Sequence, residues 1–244
     1  MKRYTVALAG NPNTGKSTLF NTLTGMRQHT GNWAGKTVDM AEGELVHKGS
    51  IFRMIDLPGT YSLYSNSADE EVARDYIVFE QPDVSIVVLD ATSLERNLNL
   101  ALQVLEITSR VVVCINLIDE ANRLGIVIDT ALLSQKLGVP VVAISARSKV
   151  GIDDLLNQME QIAHGFTETK PLQIAYGDSI ERKITELEPL IREQLGVRFP
   201  TRWLALRLLD GDQGLLESIK ARLNGTTGAK PRQEVVDYGR TACH

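Results

Sequence analysis

Only two of the 244 residues are cysteine, Cys114 and Cys243, which excludes a disulfide framework. Cys114 lies in the apolar run Val-Val-Val-Cys-Ile, where a buried, inert thiol is expected, and a reducing compartment fits. No uninterrupted apolar run approaches the roughly 20 residues that a membrane-crossing helix needs. The first apolar segment, after Met1-Lys-Arg, is too short before Gly10-Asn-Pro to be the core of a secretory signal. As given, the chain is therefore expected to be soluble. An excess of positive charge is also missing: 26 basic residues face 30 acidic ones, a formal charge of −4, so nothing suggests a nucleic-acid partner. There is no internal repeat.

What is present is length enough for one large domain with a small appendage. Short apolar runs at 4–9, 51–55, 84–89, 111–115 and 139–144 alternate with segments of helical period at 16–23, 69–80, 94–108, 130–137 and 152–163. Near-continuous Val/Ile runs predict strands covered on both faces, hence an α/β, doubly wound, mostly parallel sheet flanked by helices. Residues 38–48, Gly49-Ser50 and Ile51 read as a hairpin, which adds one antiparallel edge. After His164-Gly165 the strand-like runs stop. The stretch GFTETKP reads as a connector, and helical patterns follow at 178–195, 201–209 and 213–223. The predicted organisation is a first domain over 1–165, a small all-helical domain over 166–225, and a tail over 226–244 with no sustained period, for which disorder is expected.

The segment Gly10-Asn-Pro-Asn-Thr-Gly-Lys-Ser17 stands between a predicted strand and a predicted helix, the context a phosphate-binding loop requires. Its glycines let backbone N–H groups approach phosphate oxygens, the helix N-terminus adds partial positive charge, and Lys16 neutralises the β and γ groups. Gly10, Gly15 and Lys16 fit those roles, Ser17 fits a magnesium ligand, and Asn11, Asn13, Thr14 and Thr18 complete the candidate contact set. Downstream, Asp56-Leu-Pro-Gly59 closes an apolar strand. An acid there can hold magnesium through water, and Gly59 offers a backbone N–H to a γ-phosphate, which makes a second phosphate sensor. Between the two motifs lies HTGNWAGKTV, whose Thr37 could ligate magnesium once a γ-phosphate is bound; a plain surface loop is the competing reading.

Base identity is carried by Asn116 and Asp119 in CINLID. Guanine carries an N2 amino group and an N1 proton, and one carboxylate, Asp119, can accept from both. Asn116 would contact the base edge or tether the phosphate loop. Leu117 stands where many GTPases have lysine, so stacking on the base would be apolar. Ser145-Ala146 supplies a last strand end, with the Ala146 N–H facing guanine O6. Three further features carry little: His29 reads as a solvated loop histidine, Glu70 and Glu71 as acids favouring a helix dipole, and Cys243-His244 as a terminal pair without partners.

The ordered series GNPNTGKS, Thr37, DLPG, NLID and SA resembles the GTPases of the translation-factor-like class. More narrowly, GNPNTGKSTLFNTLTG, GNWAGKTV, DLPGTYSL, VLDATSLERNLNLALQ and the helical part opening at YGDSIERKI are similar to the cytoplasmic N-terminal part of the FeoB ferrous-iron transporters, over residues 1–225. The resemblance implies hydrolysis of GTP to GDP and phosphate, and a helical domain that modulates nucleotide release. It also implies a membrane-spanning region later in the same full-length polypeptide, with these domains on the cytoplasmic face of the bacterial inner membrane. Oligomerisation through the helical domain stays open. Iron transport itself is not legible in these residues. The competing readings are a soluble assembly GTPase of ribosomes or tRNA, disfavoured by the acidic balance, and a nucleotide-binding module without turnover.

One position departs from the common pattern. Many GTPases place glutamine after the D-x-x-G glycine to orient the attacking water, but here Thr60 follows Gly59. The phosphate loop resembles those of potassium-activated GTPases, in which an asparagine at the position of Asn13 ligates the cation. Backbone carbonyls of Gly31, Asn32, Trp33, Ala34 and Gly35 could supply the remaining oxygens. The alternative is that Asn13 merely hydrogen-bonds within its loop.

Overall fold

The computed structural model describes residues 1–25, 28–32, 39–64, 67–196 and 199–227; for 28–32, 39 and 222–227 the backbone alone is described. The strand β1 (Arg3–Gly10) enters from an exposed residue and finishes with five consecutive buried ones, as a strand covered on both faces should. It leads into α1 (Lys16–Thr24). The edge strands β2 (Gln28–Asn32) and β3 (Asp39–His47) pair antiparallel, and β3 turns through Lys48-Gly49 into β4 (Ser50–Asp56). Then follow α2 (Ala68–Asp75), β5 (Val84–Asp90), α3 (Leu94–Ile107), β6 (Val111–Asn116), α4 (Ile118–Arg123), α5 (Thr130–Leu137), β7 (Val141–Ala143) and α6 (Ile152–Ala163).

The seven strands form one sheet in the order β2-β3-β4-β1-β5-β6-β7, parallel from β4 to β7. The doubly wound reading and its antiparallel hairpin edge are both present. Because β1 lies between β4 and β5, the chain leaves it toward one side of the sheet and returns on the other. The crevice beyond its carboxyl end is therefore a switch point of the kind where ligands bind in open α/β sheets. Both faces are covered: Leu8, Phe52, Met54, Ile86 and Val112 share one buried cluster with Phe20, Leu155 and Met159, and Ala7, Ile55, Val87, Val113 and Ile115, which alternate to the opposite face, are equally buried. Cys114 is completely buried within that cluster, and burial pushes its thiol pKa up, consistent with an inert side chain.

Three elements differ from the sequence reading. Residues 29–32, for which no strand was expected, lie in β2. The stretch 69–80, read as one helix, widens after α2 into a π turn over Tyr76–Glu80, where Tyr76, Ile77, Val78 and Phe79 are all buried. The six-residue α4 had no predicted counterpart.

The chain divides into two compact units, one of residues 1–63 and 68–172, the other of 64–67 and 173–244. Residues 169–171, read as connector, and the following Leu172 are bonded to the first unit: Lys170 N–H donates to Gly138 O at 3.0 Å and Leu172 N–H to Leu137 O at 2.9 Å. In the second unit, α7 (Asp178–Leu195) buries Ile184, Leu187 and Ile191, spaced to share one face. It is followed by α8 (Thr201–Leu209), which buries Trp203, Leu204 and Leu208, and by α9 (Gln213–Thr227), which runs four residues past the predicted end at 223. Among the described residues, no helix is long and apolar enough to cross a membrane.

Glu181 fastens the start of the second unit. Its carboxylate takes two hydrogen bonds of 2.7 Å from the Arg202 guanidinium and one of 2.9 Å from Tyr176 N–H, while Arg202 also donates to Ile174 O at 3.1 Å. The arginine first, and then the backbone donor, lower the Glu181 pKa from the usual 4.5 to about 2. A carboxylate whose folded pKa is depressed adds stability above its unfolded pKa and loses it as pH falls through the folded value. The thermal unfolding midpoint of the second unit should therefore fall as pH drops from 4.5 toward about 2. The Glu181→Gln variant should lose part of that slope, and a slope equal to wild type would count against the clasp.

Candidate functional site

The phosphate loop spans the turn between β1 and α1. At Gly10 an added Cβ would lie 2.7 Å from the Val88 carbonyl oxygen, so the approach of β1 to β5 admits no side chain there. Gly15 caps α1 in a left-handed conformation, φ 75° and ψ 18°, and its Cβ would come within 2.4 Å of Asn116 Nδ2. Asn13 also has positive φ, 67°, a conformation asparagine tolerates better than most side chains. Within the loop, Thr14 Oγ1 donates to Asn11 O at 2.9 Å. The first turn of α1 has neither an acidic residue nor a capping side chain, so its N–H groups are available to an anion. Thr18, exposed in that same turn, accepts from Thr22 Oγ1 at its carbonyl at 2.8 Å. Asn11 is buried, and both of its amide atoms lack a hydrogen-bond partner among the described residues, which nothing in the sequence signalled.

Lys16, Ser17 and Asp56 come together because parallel pairing sets Asp56 beside Leu8, near the end of β1. The Lys16 ammonium donates to the Asp56 carboxylate and, at 2.6 Å, to Leu57 O, while Ser17 Oγ lies 3.3 Å from Asp56 Oδ2. A hydroxyl and a carboxylate so close are hard oxygen donors, the set that suits magnesium beside a phosphate chain. Gly59 rests against Pro12, where an added Cβ would meet the proline at 3.4 Å, and Thr60 N–H donates to Gly10 O at 3.2 Å. The second sensor thus lies along the phosphate loop.

At the other end, β6 delivers Asn116, which is almost fully buried. Its Nδ2 donates to Thr14 O at 2.9 Å and its Oδ1 accepts from Ala146 N–H at 3.0 Å. Of the two roles left open for Asn116, tethering the phosphate loop is the one its amide performs here. The Ala146 N–H expected at guanine O6 is bonded to that same amide. Ser145 closes its loop by paired backbone bonds with Val150 of 3.1 and 3.2 Å, and Ser145 Oγ accepts from Ser148 N–H at 3.3 Å. Leu117 turns the chain with φ 65°, and Asp119 then falls in the first turn of α4. Its Oδ2 is 3.9 Å from Arg123 Nη2, whereas Oδ1 is buried and has no hydrogen-bond partner among the described residues. A buried carboxylate oxygen without a donor is costly, and a ligand carrying N–H groups would satisfy it.

Gly31 and Asn32 are in β2, paired in register with Met40 and Asp39. Trp33, Ala34, Gly35 and Thr37 lie outside the described residues, as do Cys243 and His244. His29 is in β2 rather than in a loop. Glu70, read as a helix-dipole acid with a role in coupling left open, accepts from Ser62 Oγ at 2.7 Å.

Residues 4–159 match the family described as ferrous iron transport protein B, and residues 176–237 match its cytosolic helical domain. The Fe(2+) transporter FeoB of Methanocaldococcus jannaschii is 43% identical over 221 residues, which is 90% of this chain and 32% of that protein. The chain thus spans about a third of that relative's length. The cytosolic domain of the T. maritima FeoB iron transporter superposes in a GDP form with a TM-score of 0.80 at 36% identity, covering 99% of this chain and 93% of that one. In its GMPPNP form the TM-score is 0.79 at 36% identity, with 100% and 93% covered. The chain belongs to the FeoB family of ferrous iron transport proteins and carries the N-terminal G domain and the helical domain of that family.

Proposed function

We propose that the chain binds guanine nucleotides and hydrolyses GTP to GDP and phosphate, as the cytosolic switch of a membrane ferrous-iron transporter. The observation that carries the base assignment is Asp119, whose buried Oδ1 lacks a donor among the described residues, in the first turn of the helix that follows Asn116, the residue tied to the phosphate loop through Thr14. Guanine N1–H and N2–H would supply that donor. The GDP and GMPPNP forms of the T. maritima domain support the same ligand class.

In this reading the N–H groups around Gly15 hold the phosphates, and the Lys16 ammonium exchanges its Asp56 partner for the β and γ oxygens. Ser17 and Asp56 would hold magnesium, with Thr37 joining when a γ-phosphate is present. That ion supplies neutralisation of charge on the bridging and terminal phosphate oxygens. Gly59 N–H reports the γ-phosphate. Asn13 would hold a potassium ion, which would supply positive charge to the phosphates in place of the missing glutamine's role. The assembly-GTPase reading draws no support from the family match, and the negative charge balance argues against it. In the full-length polypeptide the two switch segments would report nucleotide state to the membrane-spanning part from the cytoplasmic side.

Hydrolysis is tested by phosphate release from GTP; binding of GTP without release would leave a nucleotide-binding module only. The helical unit is assigned the modulation of nucleotide release. Truncation after Leu172, which keeps the bonds of 169–172 to the first unit, should preserve hydrolysis and change the GDP off-rate. Identical release rates by stopped flow would remove that role.

A further inference from the structure

Residues 57–60 run from the end of β4 along the phosphate loop, and the three residues after them are each held by a different side chain. The Tyr61 ring lies beneath the Arg96 guanidinium, with Cζ 4.6 Å from the ring centroid. Ser62 Oγ donates to Glu70. The N–H of Leu63, a buried residue, donates to Gln103 Oε1 at 2.7 Å. Arg96 and Gln103 are both on α3, two helical turns apart and so on the same side of it. That helix is itself fixed by burial of Leu100, Ala101, Val104 and Leu105.

We propose that Arg96 and Gln103 are positioning residues for the second phosphate sensor: α3 is a fixed post that anchors the exit of residues 57–60, leaving only that short span to be ordered by a γ-phosphate. Ordering the backbone of even one additional residue costs roughly tenfold in a binding constant. Untying the exit therefore weakens nucleotides that carry a γ-phosphate and spares GDP, which does not engage the sensor. The proposal rests on the nucleotide reading above and adds to it the residues that set how cheaply the sensor closes.

The test is calorimetric titration of the whole chain with GMPPNP and with GDP in magnesium. Gln103→Leu, which removes the acceptor for Leu63 N–H, should weaken GMPPNP about tenfold and leave GDP within about twofold. Gln103→Glu, which keeps an acceptor, should restore the wild-type ratio. Arg96→Ala removes an exposed cation–π contact and should weaken GMPPNP by roughly two- to fivefold. Tyr61→Leu should do the same, and the double variant no more. Equal losses for both nucleotides would mark a merely structural role and overturn the proposal, as would an unchanged ratio in Gln103→Leu and Arg96→Ala. Wild-type protein that binds neither nucleotide would bring down the nucleotide reading itself, an outcome distinct from unchanged variants on a binding-competent parent.

Discussion

Asp119→Asn should exchange a preference for guanine nucleotides for one for xanthine nucleotides. The carboxylate accepts from two N–H groups of guanine, whereas xanthine presents a carbonyl at C2 in place of the amino group. The new amide can donate to that carbonyl. Losing a hydrogen bond to a charged group costs roughly 1.5 to 3 kcal/mol, so GDP and GTP should weaken by roughly 10- to 150-fold. The arrangement around Asp119 favours a clean result. Among the described residues Oδ1 has no partner to lose, and Arg123 stands 3.9 Å from Oδ2. Competition between GDP and xanthosine diphosphate for a fluorescent nucleotide measures the exchange. Unchanged affinities would take Asp119 out of the base site.

Asn13→Ala should erase the difference between potassium and sodium. The glutamine that orients water in many GTPases is replaced by Thr60, which is too short to reach by simple extension. Charge developing between the β and γ phosphates then needs another stabiliser, and removing one such group elsewhere lowers kcat by about 10² to 10³. Wild-type hydrolysis should accordingly be at least about tenfold faster in potassium than in sodium at matched ionic strength. The variant should hydrolyse equally in both while still binding GDP. Alanine is strained at the φ of 67° that Asn13 adopts, so Asn13→Gly, which relieves the strain and also lacks the amide, serves as the control. Equal wild-type rates in the two salts would overturn the assignment and turn attention to Thr60 or to an arginine from a partner.

The central strands were legible because runs such as Val84–Asp90 and Val111–Asn116 are buried on both faces and therefore apolar apart from Ser85 and the terminal Asp90 and Asn116. The strand β2 was not, since Gln-His-Thr-Gly-Asn offers no apolar alternation. What makes it a strand is the ladder offered by β3, a backbone interaction that side chains do not announce. The helix α4 is too short to show a period, although acids in its first turn and Arg123 in its last were a dipole signal that could have found it. In the candidate site, the residues carried by contiguous motifs were read directly. The grip of Gln103 on Leu63 joins residues 40 apart and so has no local signature.

The contact between Gly15 and Asn116 has a consequence for redesign. Any side chain at 15 would occupy the space of the Asn116 amide, which fastens both ends of the crevice through Thr14 and Ala146. A larger residue at 15 is admissible only with a smaller one at 116, and a smaller one at 116 releases both loops at once. The two positions behave as one inherited character. Libraries that randomise either alone should return the parent pair, and new nucleotide specificities should be sought at Asp119, where the side chain stands clear of that joint.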